Sequence, residues 1–417
     1  MNTATRVQLS VMMFIQFFIW GAWYVSMGVY MGELHFEAKV IGWAYSSTAW
    51  AAIITPFFMG MIADRFFPAQ VVLGVLHLAG AALMFLVSRT TEPMLFFFLL
   101  LGYACCYMPT LALTSAISFN QMKSTQDEFP LIRVLGTVGW IVAGLLISYL
   151  KVDATARPME IAAGCSLLMG LYSFTLPHTP ARAAGKKASV REILGVDAFA
   201  LFKDRSFAVF MVSALLVCIP LSFYYGFGAR FLAEGGVQNI TAKMSMGQMS
   251  EFFFMLVIPF FFARLGVKYM LAVGMGAWVV RYLLFAFGGN NVLVPPFTAD
   301  QMLGSLSMVG MWYLAILLHG VCYDFFFVTG QIYVDKRAPK ELQSSAQGLF
   351  ALFTWGIGMT IGTVASGQVV SFFSIQEAIH WKAVWLTPAL LALVVLVVFF
   401  ALFNEKSVPE DKDAGKA

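Results

Sequence analysis

Apolar runs of about twenty residues recur along this chain, each broken by a short polar stretch, and the alternation repeats about twelve times. The runs cover approximately residues 8–31, 41–63, 70–88, 94–117, 130–150, 159–177, 206–229, 244–263, 268–288, 304–331, 343–372 and 383–403. A hydrocarbon core about 30 Å thick takes about 20 helical residues to cross. A helix also satisfies its backbone hydrogen bonds internally, where lipid offers no partner. The pattern predicts an all-α polytopic membrane protein of twelve transmembrane helices.

Composition strengthens that reading. Hydrophobic residues make up 60% of the 417 and charged residues 12%, against roughly a quarter charged in soluble domains. The formal charge of +4 reflects where the basic residues sit. If both termini are cytoplasmic, the inner stretches hold 17 of the 26 Lys and Arg and the outer loops hold 7, the asymmetry expected of cytoplasmic loops. The charge therefore reports topology, and no nucleic-acid partner is expected. The first run lacks a small-residue cleavage site and is expected to stay as a span. Five cysteines lie in apolar runs without zinc or redox spacing. No phosphate loop, zinc-protease or nucleophile-elbow signature occurs. The chain reads as a transporter and not an enzyme, with no catalytic residue, metal or cofactor expected.

The longest polar interruption, at about 178–205, lies between the sixth and seventh runs. It predicts an N-terminal six-helix bundle (1–180), a basic cytoplasmic linker (181–204), a C-terminal six-helix bundle (205–405) and a cytoplasmic tail (406–417). A weak repeat agrees: Thr55-Pro-Phe-Phe closes the second run as Ile258-Pro-Phe-Phe closes the eighth. The first copy continues into Gly60-Met-Ile-Ala-Asp64-Arg65, where Gly60, Asp64 and Arg65 are gating candidates. Glycine allows close helix approach, and Asp64 can cap a helix end or pair with a basic residue during rocking; the alternative is an ordinary charged cytoplasmic turn.

Ionisable residues inside a span cost roughly 2.5–3.5 kcal/mol each on insertion scales, so each is a candidate site. Gln248 and Glu251, three apart, share one helix face. An amide and a carboxylate on one face suit sugar hydroxyls, and Glu251 can also carry a proton or pair with an arginine. Asp324 lies mid-span beside Tyr323, with His319 four residues before Tyr323. Burial disfavours the charged form of a carboxyl, so Asp324 is a proton-coupling candidate and equally a packing or salt-bridge acid. Arg133, Thr137 and Trp140 form one stripe of cation, hydroxyl and indole. Arg133 either faces a cavity or snorkels to the surface. Arg281 is expected in a structural ion pair. Aromatics such as Trp20, Tyr24 and Tyr225 act as interface anchors or as stacking surfaces.

Many segments together resemble the bacterial nucleoside:proton symporter family of the major facilitator superfamily. They include Phe18-Ile-Trp20-Gly-Ala-Trp23, Tyr107-Met-Pro-Thr-Leu, Phe129-Pro-Leu-Ile-Arg133-Val-Leu-Gly-Thr137, Gln248-Met-Ser-Glu251 and Ser345-Ala-Gln-Gly-Leu-Phe. The resemblance implies the major facilitator fold and import of nucleosides driven by the proton gradient. It further implies a multi-pass place in the bacterial inner membrane and a central site between the halves. By that likeness Arg133, Thr137, Trp140, Gln248 and Glu251 would bind substrate. The chain departs from the family at Ser222 and Tyr225, which stand for a glutamine and an asparagine. It departs again at His319 and Tyr323, which stand for a tyrosine and a phenylalanine. These four join the substrate-binding candidates. The altered hydrogen-bonding groups leave open a proton symporter of another hydroxylated solute, such as a sugar or glycoside. Expected partners are a nucleoside, a proton and the bilayer, for a monomeric protein.

Overall fold

The computed structural model describes residues 1–58, 67–181, 196–288, 310–339, 342–375 and 378–404. Nine described stretches are long and apolar enough to cross a membrane. One of them, Ile240–Phe287, is two helices joined at Gly266, whose φ of 66° and ψ of 179° reverse the chain direction and suit a residue without a Cβ. Dividing it there, and adding Ala38–Phe58 and Arg157–Ser173, gives twelve.

In chain order these are α1 (Thr3–Glu33, with a turn at 24–26), α2 (Ala38–Phe58), α3 (Ala69–Ser88), α4 (Pro93–Gln121), α5 (Thr125–Tyr149) and α6 (Arg157–Ser173). The second half comprises α7 (Arg205–Glu234), α8 and α9 (the two parts of Ile240–Phe287), α10 (Gly310–Arg337), α11 (Ser345–Phe372) and α12 (Trp381–Leu402). Of the expected linker, 182–195 lies outside the described residues, and Val196–Lys203 forms a 3-10 helix. Gly60, Asp64, Arg65 and the tail 406–417 also lie outside the described residues.

Within the first half α1 packs on α5 and α6, and α3 on α4 and α6. Within the second α7 packs on α11 and α12, and the α8–α9 pair on α10 and α12. Contacts across the halves concentrate on α2 with α11 and α5 with α8. The outer face carries side chains that a soluble protein would bury, among them Leu256 (65% exposed) and Leu168 (62%). In water such a surface would drive association, whereas lipid solvates it.

Small residues and prolines set the local shape. A Cβ at Gly358 would lie 2.8 Å from the Leu215 carbonyl oxygen, and one at Gly362 would lie 2.8 Å from Ile219 Cα. The Gly358-x-x-x-Gly362 pair thus seats α11 directly on the backbone of α7. Prolines 109, 130, 220, 259 and 388 stand inside helices, where each removes a backbone donor. Single π-helical turns at Asp324–Val328 and Leu352–Gly358 re-aim α10 and α11 beside the interface between the halves.

Candidate functional site

A cavity of about 750 Å³ lies between the halves, within the range of small-molecule pockets, roughly 300–1,000 Å³. Its walls are helical stripes. α1 presents Phe17, Trp20 and Tyr24, and α5 presents Arg133, Thr137 and Trp140, each at the spacing that keeps side chains on one helix face. The other half answers with Tyr225 from α7, Gln248 and Glu251 from α8, Tyr323 from α10, and Trp355 and Met359 from α11.

Rings make up much of this wall. Trp140 meets Trp20 edge-on at 5.4 Å between centroids, and Tyr24 meets Tyr225 at 5.7 Å across the halves. Tyr323 and Trp355 stand 6.2 Å apart on the far side. Arg133 lines the cavity instead of snorkelling, its guanidinium 4.0 Å from the centroid of the Phe17 ring. Cation–π contact of this kind is worth up to about 2 kcal/mol when water is excluded.

Seven of the nine substrate-binding candidates therefore reach one cavity: Arg133, Thr137, Trp140, Tyr225, Gln248, Glu251 and Tyr323. Ser222 and His319 stand behind its wall. The Ser222 hydroxyl donates to the Cys218 carbonyl at 2.8 Å within its own helix and packs against Met359. His319 is buried, with Nδ1 3.0 Å from Nη1 of Arg281 and Nε2 3.8 Å from Oε2 of Glu251. Asp324 is fully buried at the start of its π turn, and neither carboxylate oxygen has a hydrogen-bond partner among the described residues. Arg281, expected in an ion pair, meets a histidine nitrogen and the face of Tyr224 at 3.6 Å.

Phe17 and Trp355 were not legible as wall residues. The polar residues beside them in sequence, Gln16 and Thr354, do not line the cavity, so no polar stripe marks the inward face. A second polar cluster lies inside the first half, and none of its side chains lines the cavity. The His77 ring bridges Gln16 Oε1 at 2.9 Å and Ser166 Oγ at 3.0 Å, and Gln16 donates to Thr110 at 2.7 Å.

The halves are also joined at one end of the bundle by a compact set of hydrogen bonds. Oδ1 of Asp153, from the α5–α6 connection, accepts from the Thr241 backbone N–H at 3.0 Å and from its hydroxyl at 2.6 Å. Ser148 of α5 accepts from the Ala242 backbone N–H at 3.0 Å. Asn239, the residue that would ordinarily cap α8, sits at φ 54° and ψ 54° and makes no capping bond. The first amides of α8 are thus capped by side chains of the other half.

Comparison with known proteins places this geometry in context. The sequence model of the family described as Nucleoside H+ symporter matches residues 1–408. The putative nucleoside transporter YegT of Escherichia coli (strain K12) is 41% identical, over 96% of this chain and 94% of its own. The xanthosine permease of the same organism is 35% identical over 97% of each chain. The crystal structure of the nucleoside transporter NupG superposes with a TM-score of 0.85 at 32% identity, covering 97% of this chain and 100% of that one.

Proposed function

The chain belongs to the nucleoside H+ symporter family, and from that membership and the cavity between its halves we propose that it imports nucleosides with protons by alternating access. One observation carries the reading: a cation, a hydroxyl and an indole on α5 face an amide and a carboxylate on α8 across a single ring-lined cavity.

Each group has a task that nucleoside chemistry sets. The base is planar and stacks on a ring, a contact worth roughly 1–3 kcal/mol and tolerant of base identity. Trp140 and Tyr323 supply such faces from opposite halves. Gln248 and Glu251 accept and donate to ribose hydroxyls, while Arg133 and Thr137 serve the polar edge of the base. Because the two sets sit on different halves, a bound nucleoside bridges them, and the halves close around it before the cavity opens to the other side.

Glu251 and Asp324 are the two acids at membrane depth beside this site, and either can carry the coupled proton. Loading that proton from the outside neutralises a buried carboxylate and lowers the cost of occluding it. Each charge moved gains roughly 2.3 kcal/mol per 100 mV of membrane potential. The protein sits in the bacterial inner membrane as a monomer with both termini cytoplasmic. In that orientation the Asp153–Thr241 junction is the closed outer gate.

Uptake of labelled uridine and adenosine into proteoliposomes, with and without an inward proton gradient, tests the reading. Gradient-stimulated uptake that unlabelled nucleosides inhibit and sugars do not supports it. Uptake unchanged on collapse of the gradient removes the coupling, and inhibition by sugars alone moves the substrate to another hydroxylated solute.

A further inference from the structure

We infer that His319 is a positioning residue for Glu251, held by Arg281 in the one tautomer that turns an N–H toward that carboxylate. The inference rests on the nucleoside-site reading for what Glu251 binds, but its geometry stands on its own.

Arg281 reaches His319 from α9, with Nη1 3.0 Å from Nδ1. A guanidinium only donates hydrogen bonds, so Nδ1 must be the accepting nitrogen and the proton of a neutral ring lies on Nε2. Nε2 faces Oε2 of Glu251 at 3.8 Å. Both partners of the ring are thereby fixed in sense: a donor behind it and an acceptor in front of it.

The surroundings leave the ring little freedom. Tyr224, Tyr323 and Tyr225 pack around it at 5.5, 5.6 and 6.2 Å between centroids. On the α8 side stands Gly247, one turn before Glu251, where a Cβ would lie 3.2 Å from Cβ of His319. That glycine lets α10 approach α8 closely enough for the ring to sit beneath Glu251. Arg281 is in turn pinned by the Tyr224 ring, 3.6 Å below its guanidinium, and has no carboxylate within ion-pairing distance among the described residues. A fully buried arginine whose polar contacts go to His319 and to the Tyr224 and Cys322 side chains, and not to a carboxylate, is an arrangement that fixes the histidine.

The consequence falls on Glu251, which lines the cavity and is partly open to it. A carboxylate with no donor behind it would turn among rotamers. When the Nε2–H closes on Oε2, the other oxygen is presented to the cavity for a ribose hydroxyl. Both residues belong to the second half, and the 3.8 Å gap between them shortens to a hydrogen bond when substrate seats against Glu251, as polar contacts in empty sites commonly do.

Two measurements test this on the full-length protein in nanodiscs. The ¹⁵N spectrum of histidine-labelled protein reports the tautomer, with His319 identified by the signal lost in His319→Phe or His319→Gln. A protonated Nε2 and bare Nδ1, with the preference lost in Arg281→Gln, is expected; a protonated Nδ1 in the unsubstituted protein overturns the assignment. In proteoliposomes His319→Phe should raise KM for uridine about tenfold with a smaller change in turnover, the loss of one hydrogen bond to a charged group. His319→Gln can place an N–H at the same point and should return KM to within about threefold. Unchanged KM in His319→Phe, while the unsubstituted protein transports uridine, also overturns the inference. If the unsubstituted protein transports no nucleoside, the substrate reading fails, and the ¹⁵N spectrum alone decides the His319 geometry.

Discussion

Replacing Asp153 by alanine removes the side chain that caps α8 from the opposite half. Its Oδ1 accepts from the Thr241 N–H at 3.0 Å, the Thr241 hydroxyl at 2.6 Å and the Ser148 hydroxyl at 3.1 Å. Hydrogen bonds to a charged group are worth roughly 1.5–3 kcal/mol net. An anion at a helix N-terminus adds about 0.3–1 kcal/mol. The two bonds from Thr241 join the halves, so they exist only while this end is closed, and water replaces part of them when it opens; the Ser148 bond lies within the first half. A net loss of about 2 kcal/mol is reasonable, equivalent to roughly 30-fold in the equilibrium between closed and open forms. A population of 99:1 in favour of the closed outer end would then become about 3:1. The assay is a spin-label distance measurement between Lys151→Cys and Gln238→Cys, exposed on the two sides of the junction, with the five native cysteines replaced. Asp153→Ala should populate a second, longer distance, and Asp153→Asn, which keeps an acceptor without the charge, should fall between. One unchanged distance in Asp153→Ala would refute the claim that this junction holds the end closed.

Trp140→Ala should weaken uridine binding by about tenfold, within the range of one lost stacking contact, and Trp140→Phe should recover most of it in an equilibrium binding assay. Gly362→Ala should lower the melting temperature in detergent by an amount corresponding to roughly 1–3 kcal/mol, since its Cβ would meet the Ile219 Cα at 2.8 Å and backbone has no room to yield. His77→Leu should destabilise by about 1–3 kcal/mol by stranding Gln16 and Ser166. Because none of the cluster's side chains lines the cavity, KM for uridine should stay the same; a raised KM with unchanged stability would connect it to the site instead.

Much of the candidate site could be read before any contact was known, for one geometric reason. Arg133, Thr137 and Trp140 lie on a single helix, as do Gln248 and Glu251, and the 3.6-residue period alone puts each set on one face. Polar side chains in an apolar run stand out, and a bilayer makes them costly enough to have a use. The same contrast fails for Phe17 and Trp355, which are apolar themselves and differ from the other aromatics of their runs only in which way they point. Ser222 and His319, candidates by their departure from the family pattern, stand behind the wall. Both are polar, but one spends its hydroxyl on its own helix and the other faces an arginine from a different helix.

By itself the sequence determined the number of spans, their division into two halves and the stripes that carry the polar groups, because these depend on composition and on neighbours within one helix. Only the tertiary structure decided which stripes face each other, that α8 takes its cap from the opposite half, and that Arg281 holds His319 behind Glu251. The cap and the Arg281–His319 contact join residues 38 to 94 positions apart, and where distant helices cross is set by small-residue packing and kinks summed over the whole bundle, which no local period encodes.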